Sequence, residues 1–286
     1  MTARDARLHA FRSDLADARL KGEVAADRFV TGSPARITAS VADLRKAPRP
    51  DAGVNTQALF GEDVLVFEDA GGWAWIQAEG DGYVGYVADT VLGPRERAPT
   101  HVVSAPRTFL YPGPDLRFPI DGQLSMGSSV TVTGSAETRG TQYALLPSGQ
   151  AILARHLRPA TEQADDYVAV AEGFLGTPYL WGGVSGFGID CSGLVQLAMR
   201  MTGRQVLRDS DMQAASIGTP FEPGPDFSGL RRGDLVFWKG HVAIMTDAKD
   251  MIHANGHTML VSREGLREAV ERISYLYGGP TGFRRP

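Results

Sequence analysis

Disulfides and clustered-cysteine metal sites are excluded at once, because 286 residues contain a single cysteine, Cys191, and either feature needs at least two. Nor is there a His-Glu-x-x-His stretch, so no metal site is expected. No run approaches the roughly 18 apolar residues that span a bilayer. The opening Met1-Thr2-Ala3-Arg4-Asp5-Ala6-Arg7 alternates in charge and has no apolar segment of signal-peptide length. These absences lead to an expected cytoplasmic location with no membrane partner. Basic excess is missing too: 33 acids outnumber 29 bases, for a net charge of −4. A nucleic-acid partner, which needs a field of Lys and Arg against phosphate, is therefore not expected. What is present is an ordinary globular composition, 43% apolar and 22% charged, with length for two or three domains at roughly 150 residues each.

The texture of the chain changes three times. Residues 1–33 hold one amphipathic stretch, Leu8 to Leu20, in which Leu8, Phe11, Leu15 and Ala18 fall near helical spacing; this predicts an N-terminal helical arm. Residues 34–95 carry short β-branched and aromatic runs such as Asp63-Val64-Leu65-Val66-Phe67 and Trp73-Ala74-Trp75-Ile76, punctuated by Gly71-Gly72 and Gly80-Asp81-Gly82. Strands of that length with close-set turns describe a small antiparallel barrel. Residues 96–160 repeat the grammar and predict a second β domain, as from an internal duplication. Residues 161–286 switch to helices over Glu162–Leu175 and Cys191–Met201, then strands over Asp234–Trp238, His241–Thr246 and Met251–Ala254. Helices followed by consecutive antiparallel strands make an α+β layout.

Chemistry gathers in the last segment. After Cys191, apolar residues recur at Leu194, Leu197, Ala198 and Met201, so a helix starts at or just before Ser192 with Asp190 or Ser192 as its cap. A thiol at a helix N-terminus meets unpaired N–H groups and the positive end of the dipole, which lower its pKa. Against this, a lone free cysteine is more often a small buried apolar residue. The histidines tip the balance. His241 opens His241-Val242-Ala243-Ile244-Met245, and His253 lies in Met251-Ile252-His253-Ala254 across the turn Asp247-Ala248-Lys249-Asp250. A turn centred near Asp247 sets them directly opposite; one centred on Ala248 makes them diagonal neighbours. Either register puts both on one face. A nucleophilic cysteine needs such a pair, His241 to take the proton and His253 to fix its tautomer. His9, His101, His156 and His257 have no comparable setting and receive no role.

Taken in order, Tyr179-Leu180-Trp181-Gly182-Gly183, Asp190-Cys191-Ser192-Gly193-Leu194-Val195, Arg208-Asp209-Ser210, Gly233-Asp234-Leu235-Val236-Phe237, Gly240-His241-Val242-Ala243-Ile244 and His253 resemble the NlpC/p60 cysteine peptidases of bacterial cell-wall peptides. The resemblance covers about residues 165–285. The β units are similar to the bacterial SH3-like domains joined to such enzymes. The domain order resembles the murein-recycling γ-D-glutamyl-L-diamino acid endopeptidases. The resemblance implies a papain-like catalytic domain preceded by two small SH3-like β-barrels. It also implies Cys191 as nucleophile, His241 as base and His253 as the orienting residue, with a murein-derived peptide as substrate. Tyr179 would line the oxyanion site with the Cys191 N–H, while Trp181, Asp190, Ser192, Asp209 and Ser210 would shape the pocket. From the first barrel it implies a glutamate and a tyrosine, best matched by Glu62 and Tyr83, with Glu68 and Tyr86 as close competitors.

Other readings stay open at this level. Tyr179 and Trp181 also suit core aromatics, Asp209-Ser210-Asp211 a helix cap, Asp234 a turn and Glu62 a solvated turn charge. At the level of function, the residues leave room for a general hydrolase of the intact wall, a non-catalytic wall-binding protein, or an acyltransferase or amidase on another amide by the same thiol chemistry.

Overall fold

A computed structural model describes residues 4–286, and the chain divides into two compact units, one ending at Glu162 and one beginning at Gln163. Met1, Thr2 and Ala3, which open the expected arm, lie outside the described residues. Among the described residues no helix is long and apolar enough to cross a membrane.

The first unit is built of strands and single 3-10 turns. Its larger sheet contains Ser33–Ile37, Val41–Arg45, Val54–Leu59, Asp63–Ala70, Trp73–Ala78, Val84–Ala88 and Leu92–Gly93, all paired antiparallel. Side chains alternate across a strand. In Val41–Arg45 this buries Ala42 and Leu44 and leaves the other three half-exposed. The same rule adds Ile37, Val64, Ile76 and Val87 to the core. Gly71 and Gly72 join two of the strands with φ of 64° and 84°, a two-residue hairpin whose backbone favours glycine at both positions. A Cβ on either would meet nothing within 4 Å, so the demand is conformational rather than steric.

The predicted helix over Leu8–Leu20 does not form. Leu15–Asp17 is a strand paired in parallel with Arg28–Val30, and only Ala18–Leu20 coils, as one 3-10 turn. Short polar side chains compete for the backbone here: Asp17 accepts the Arg19 N–H at 2.9 Å and caps the turn. Burial follows contact rather than helical period, with Ala10 and Leu15 packed against Phe67, Trp75 and Val84 of the barrel. Beyond the first sheet, three small sheets enclose Val103, Leu110, Leu124, Val130 and Ile152. Phe60 packs against this second core, and its carbonyl accepts the Ser129 N–H at 2.8 Å.

The second unit contains helices α1 (Tyr167–Glu172), α2 (Cys191–Arg200), α3 (Ser210–Ser216) and α4 (Leu266–Tyr277). Its main sheet contains β1 (Thr219–Pro220), β2 (Leu235–Trp238), β3 (His241–Met245), β4 (Asp250–Asn255), β5 (Leu260–Gly265) and β6 (Gly282–Arg285), in the order β1-β6-β2-β3-β4-β5 and antiparallel throughout. Helix α1 is shorter than predicted. It starts at Tyr167 because the Asp166 carboxylate takes the Val168 N–H at 2.8 Å and caps it there. Leu266, Ala269 and Ile273 share one face of α4 and pack on Ala243, Met245 and Met251. That helix therefore covers the sheet face that, by alternation, also carries His241 and His253.

Candidate active site

The site is assembled around the start of α2. Asp190 is its N-cap: Oδ1 accepts the Gly193 N–H at 2.7 Å, and Oδ2 accepts the Gly182 N–H at 2.9 Å. One carboxylate thus ties the helix to the Gly182-Gly183 turn. The approach is close, since a Cβ on Gly193 would stand 2.3 Å from the Gly183 carbonyl oxygen. Arg208, 1% exposed, closes the arrangement from the segment leading into α3. Its guanidinium donates to Asp190 Oδ1 at 3.0 Å, Asp190 Oδ2 at 2.6 Å and Ser192 Oγ at 2.7 Å. Burial opposes this charge, but Asp190 more than compensates and holds the guanidinium protonated. Gln213 adds a bond from Nε2 to the Ser192 carbonyl at 2.9 Å.

Cys191 occupies the first position of α2 and is 7% exposed. Burial pushes its thiol up to about 12, and the Asp190 charge adds to the rise, while backbone hydrogen bonds from Val242 and Ser192 pull the other way. The lowered pKa expected from the helix start is thus overturned: desolvation outweighs the helix end at a sulfur so little exposed. The Val242 amide belongs to β3 and directly follows His241, which brings the nucleophile candidate to the head of that strand. The Cys191 N–H, at the helix start, has no intrahelical acceptor.

Strand register decides how the histidines meet. β3 and β4 pair Ile244 with Ile252 and Met245 with Met251, so the turn centres on Ala248 and the two are diagonal neighbours. His241 Nε2 lies 2.8 Å from His253 Nδ1, with ring centroids 5.0 Å apart. Trp238, opposite His241 in β2, sets its ring 5.7 Å away. Burial first, then the charges of His253 and Arg272, lower the His241 imidazole to about 3, against a smaller pull from Glu264. His253 is 1% exposed, and its Nε2 stands 2.8 Å from Glu264 Oε1. That contact is close but oblique, outside hydrogen-bond geometry, so it acts through charge more than direction.

The remaining candidates divide by position. Tyr179 is half-buried, and burial raises its phenol, helped by the neighbouring Cys191 and Asp190 charges. Trp181 is 72% exposed and so no core aromatic. Asp209 stands at the N-cap of α3 without a side-chain cap bond, and Ser210 begins that helix. Asp190 and Ser192 are buried in the cap network just described. In the first unit, Glu62 is half-buried in the turn after Val54–Leu59, and Tyr83 lies in the barrel core at 3% exposure. Glu68 and Tyr86 converge on one cation there: Arg12 lies 2.8 Å from each, and its guanidinium sits 4.4 Å over the Trp75 ring. Sequence reasoning gave no role to Arg208 or Glu264. Arg208 sits in the Arg208-Asp209-Ser210 block, but only the fold shows it buried. The apolar spacing of Leu266, Ala269 and Ile273 would have revealed α4, and with it a support for β5.

The helix-borne thiol meets the amide that follows His241, and His241 contacts His253, an arrangement suited to a cysteine-type hydrolase. Residues 176–278 match the model of the NlpC/P60 family, and residues 44–92 match that of the bacterial dipeptidyl-peptidase Sh3 domain. The chain thus carries an NlpC/P60 domain in its C-terminal part and an SH3-like domain in its N-terminal region. A γ-D-glutamyl-L-lysine dipeptidyl-peptidase of Bacillus cereus is 29% identical over 231 residues, 70% of this chain and 67% of the relative. The protein of that name from Bacillus subtilis is 29% identical over 229 residues, 71% and 73% of the two chains. A solved NlpC/P60 family protein from Bacillus cereus shares 26% identity with a TM-score of 0.72, over 88% of this chain and 99% of that one.

Proposed function

We propose that this chain is a cysteine endopeptidase that hydrolyses the γ-D-glutamyl-L-diamino acid bond of murein peptides with a free N-terminal L-Ala, the diamino acid being diaminopimelate or lysine, in peptidoglycan peptide recycling. The observation that carries it is the His241–His253 contact of 2.8 Å beside the amide that meets the Cys191 sulfur. The names of the Bacillus relatives support the bond type. At neutral pH the site holds a thiol and a free imidazole, so the proton passes from Cys191 to His241 as sulfur attacks the γ-carbonyl carbon. The C–N bond breaks, His241 returns the proton to the leaving amine, and water releases the acyl group by the same base. The Cys191 N–H and Tyr179 stabilise the oxyanion. Trp181, Asp209 and Ser210 wall the pocket, over the cap made by Asp190 and Ser192. From the N-terminal unit, Glu62 and Tyr83, or their competitors Glu68 and Tyr86, stand as the substrate-binding candidates that the resemblance implies. The reaction draws on no cofactor.

Unequal roles predict unequal losses. His241→Ala is expected to abolish turnover nearly as fully as loss of the thiol. His253→Asn, which keeps a hydrogen-bonding group, is expected to cost roughly ten- to a hundredfold. Steady-state rates decide this, and equal tolerance of alanine at both positions would remove His241 as the base.

The substrate class is tested by mass spectrometry of products from an L-Ala-γ-D-Glu-diamino acid tripeptide, its N-acetylated form and whole sacculi. An ammonium taken out of water requires a paired charge, for which Glu62 and Asp209 are the candidates. Acetylation is therefore expected to lower kcat/KM by roughly ten- to a hundredfold, and Glu62→Gln to weaken that preference. Sacculi cleaved as readily as the free tripeptide would make this a general wall hydrolase instead.

A further inference from the structure

We infer that Glu264 is a positioning residue for the reaction, a carboxylate that fixes the tautomer of His253 and through it the working nitrogen of His241, with Arg272 holding the carboxylate in place. This rests on the cysteine-hydrolase reading above and adds a fourth group to it, from a strand and a helix that carry none of the other three.

Follow the protons from the thiol inward. His241 makes its ring contact to His253 through Nε2, and its Nδ1 makes no hydrogen bond to a described residue. To accept a proton on Nδ1, neutral His241 must carry its own proton on Nε2. That N–H then donates to His253 Nδ1 across 2.8 Å. His253 Nδ1 must therefore be bare, and the His253 proton must sit on Nε2. His253 is 1% exposed and its Nε2 is buried, so that nitrogen cannot look to water for this choice. What faces it is Glu264 Oε1 at 2.8 Å. The contact is too oblique for a hydrogen bond, but an ionised carboxylate cannot donate and its charge repels a bare lone pair, so it favours the Nε2–H tautomer of His253. The opposite tautomer would set a bare nitrogen lone pair against a negative oxygen and turn the His253 Nδ1 proton toward His241, silencing the base.

The fold builds this contact on purpose-fit register. β4 and β5 pair His253 with Ser262 and Met251 with Glu264, so Glu264 is a diagonal neighbour of His253 on the same face, as His241 is from the other side. α4 packs on that face, and from it Arg272 forms an ion pair with Glu264. Burial alone would raise the Glu264 carboxyl, but His253 and Arg272 outweigh it and hold the group below its usual range. It is thus a carboxylate wherever the enzyme works. When His241 becomes an imidazolium during attack, that negative charge also favours the protonated form, in the direction already felt at His241.

The test pairs kinetics with a readout independent of turnover. In Glu264→Gln the amide can turn either its oxygen or its NH2 group to the ring, so the tautomer is no longer selected. Glu264→Leu removes the charge altogether. Both are expected to lower kcat about tenfold with KM unchanged, Glu264→Asp to recover part of the loss, and nitrogen-15 spectra of the His253 ring to change from Nε2–H alone to a mixture of tautomers. Wild-type kcat in both variants would overturn the inference. So would a lost kcat with the His253 tautomer unchanged, since that outcome describes mere structural damage. Cys191→Ala, assayed alongside, separates the two levels: an active alanine variant sinks the hydrolase reading, whereas the spectra still report whether Glu264 sets the tautomer.

Discussion

Cys191→Ala is expected to retain the fold and lose hydrolysis of the γ-D-glutamyl bond by on the order of 10,000-fold or more in kcat, the scale seen when a covalent nucleophile is removed. The fold should persist because Asp190 caps α2 through the Gly193 amide and Arg208 holds Asp190, and neither contact involves the sulfur. The site around the missing sulfur should be otherwise unchanged. The thiol itself makes a second, pH-dependent signature. Burial pushes it up to about 12, and only the thiolate reacts with iodoacetamide. Labelling of the wild-type protein at pH 7 should therefore be slower than that of an unburied cysteine and should climb as the pH rises toward that value. Mass spectrometry of labelled protein at pH 7 and pH 9 measures this directly. Near-wild-type turnover by the alanine variant would remove Cys191 from the chemistry. Rapid labelling at pH 7 would instead mean that the resting site holds a thiolate beside an imidazolium.

What could be read in the sequence, and what could not, divides by range. Gly71-Gly72 and the apolar runs Asp63–Phe67 and Trp73–Ile76 are local signals, and strands appear where those runs lie. The shared face of His241 and His253 is also local, because period-two alternation holds in either register; which register applies needed the Met245–Met251 pairing. The arm at Leu8–Leu20 is the instructive failure. Four apolar residues near helical spacing were outweighed by Asp17 turning the backbone and by the barrel face that takes up Leu15. Thiol acidity failed for a related reason, since helix position is visible in sequence but burial of the sulfur is not. Arg208 and Glu264 were illegible because a charged residue in isolation looks solvated, and only tertiary contact shows one enclosed beneath the helix start and the other behind a histidine.

Arg208→Met is expected to destabilise the unit that begins at Gln163 by about 3–5 kcal/mol, the scale of leaving one member of a buried ion pair without its partner. The pair is well removed from solvent, with side-chain exposures of 1% for Arg208 and 11% for Asp190. Methionine fills much of the same space, so the loss is electrostatic rather than a cavity. With the guanidinium go its bonds to both Asp190 oxygens, to Ser192 Oγ and, at 3.4 Å, to the Gly183 carbonyl. The carboxylate left behind keeps its amide donors from Gly182 and Gly193 but not a counter-charge. Against a total stability of roughly 5–15 kcal/mol for a domain, such a loss should move the denaturant midpoint clearly at unchanged slope. Adding Asp190→Asn removes the stranded charge, so the double variant should lose less than the sum of the single ones. The folded fraction of Arg208→Met should also turn over more slowly, because the cap that aims the first residue of α2 is loosened. A shift below about 1 kcal/mol would mean that the pair adds no more than an exposed one, and strict additivity in the double variant would show that Arg208 and Asp190 stabilise the helix start independently.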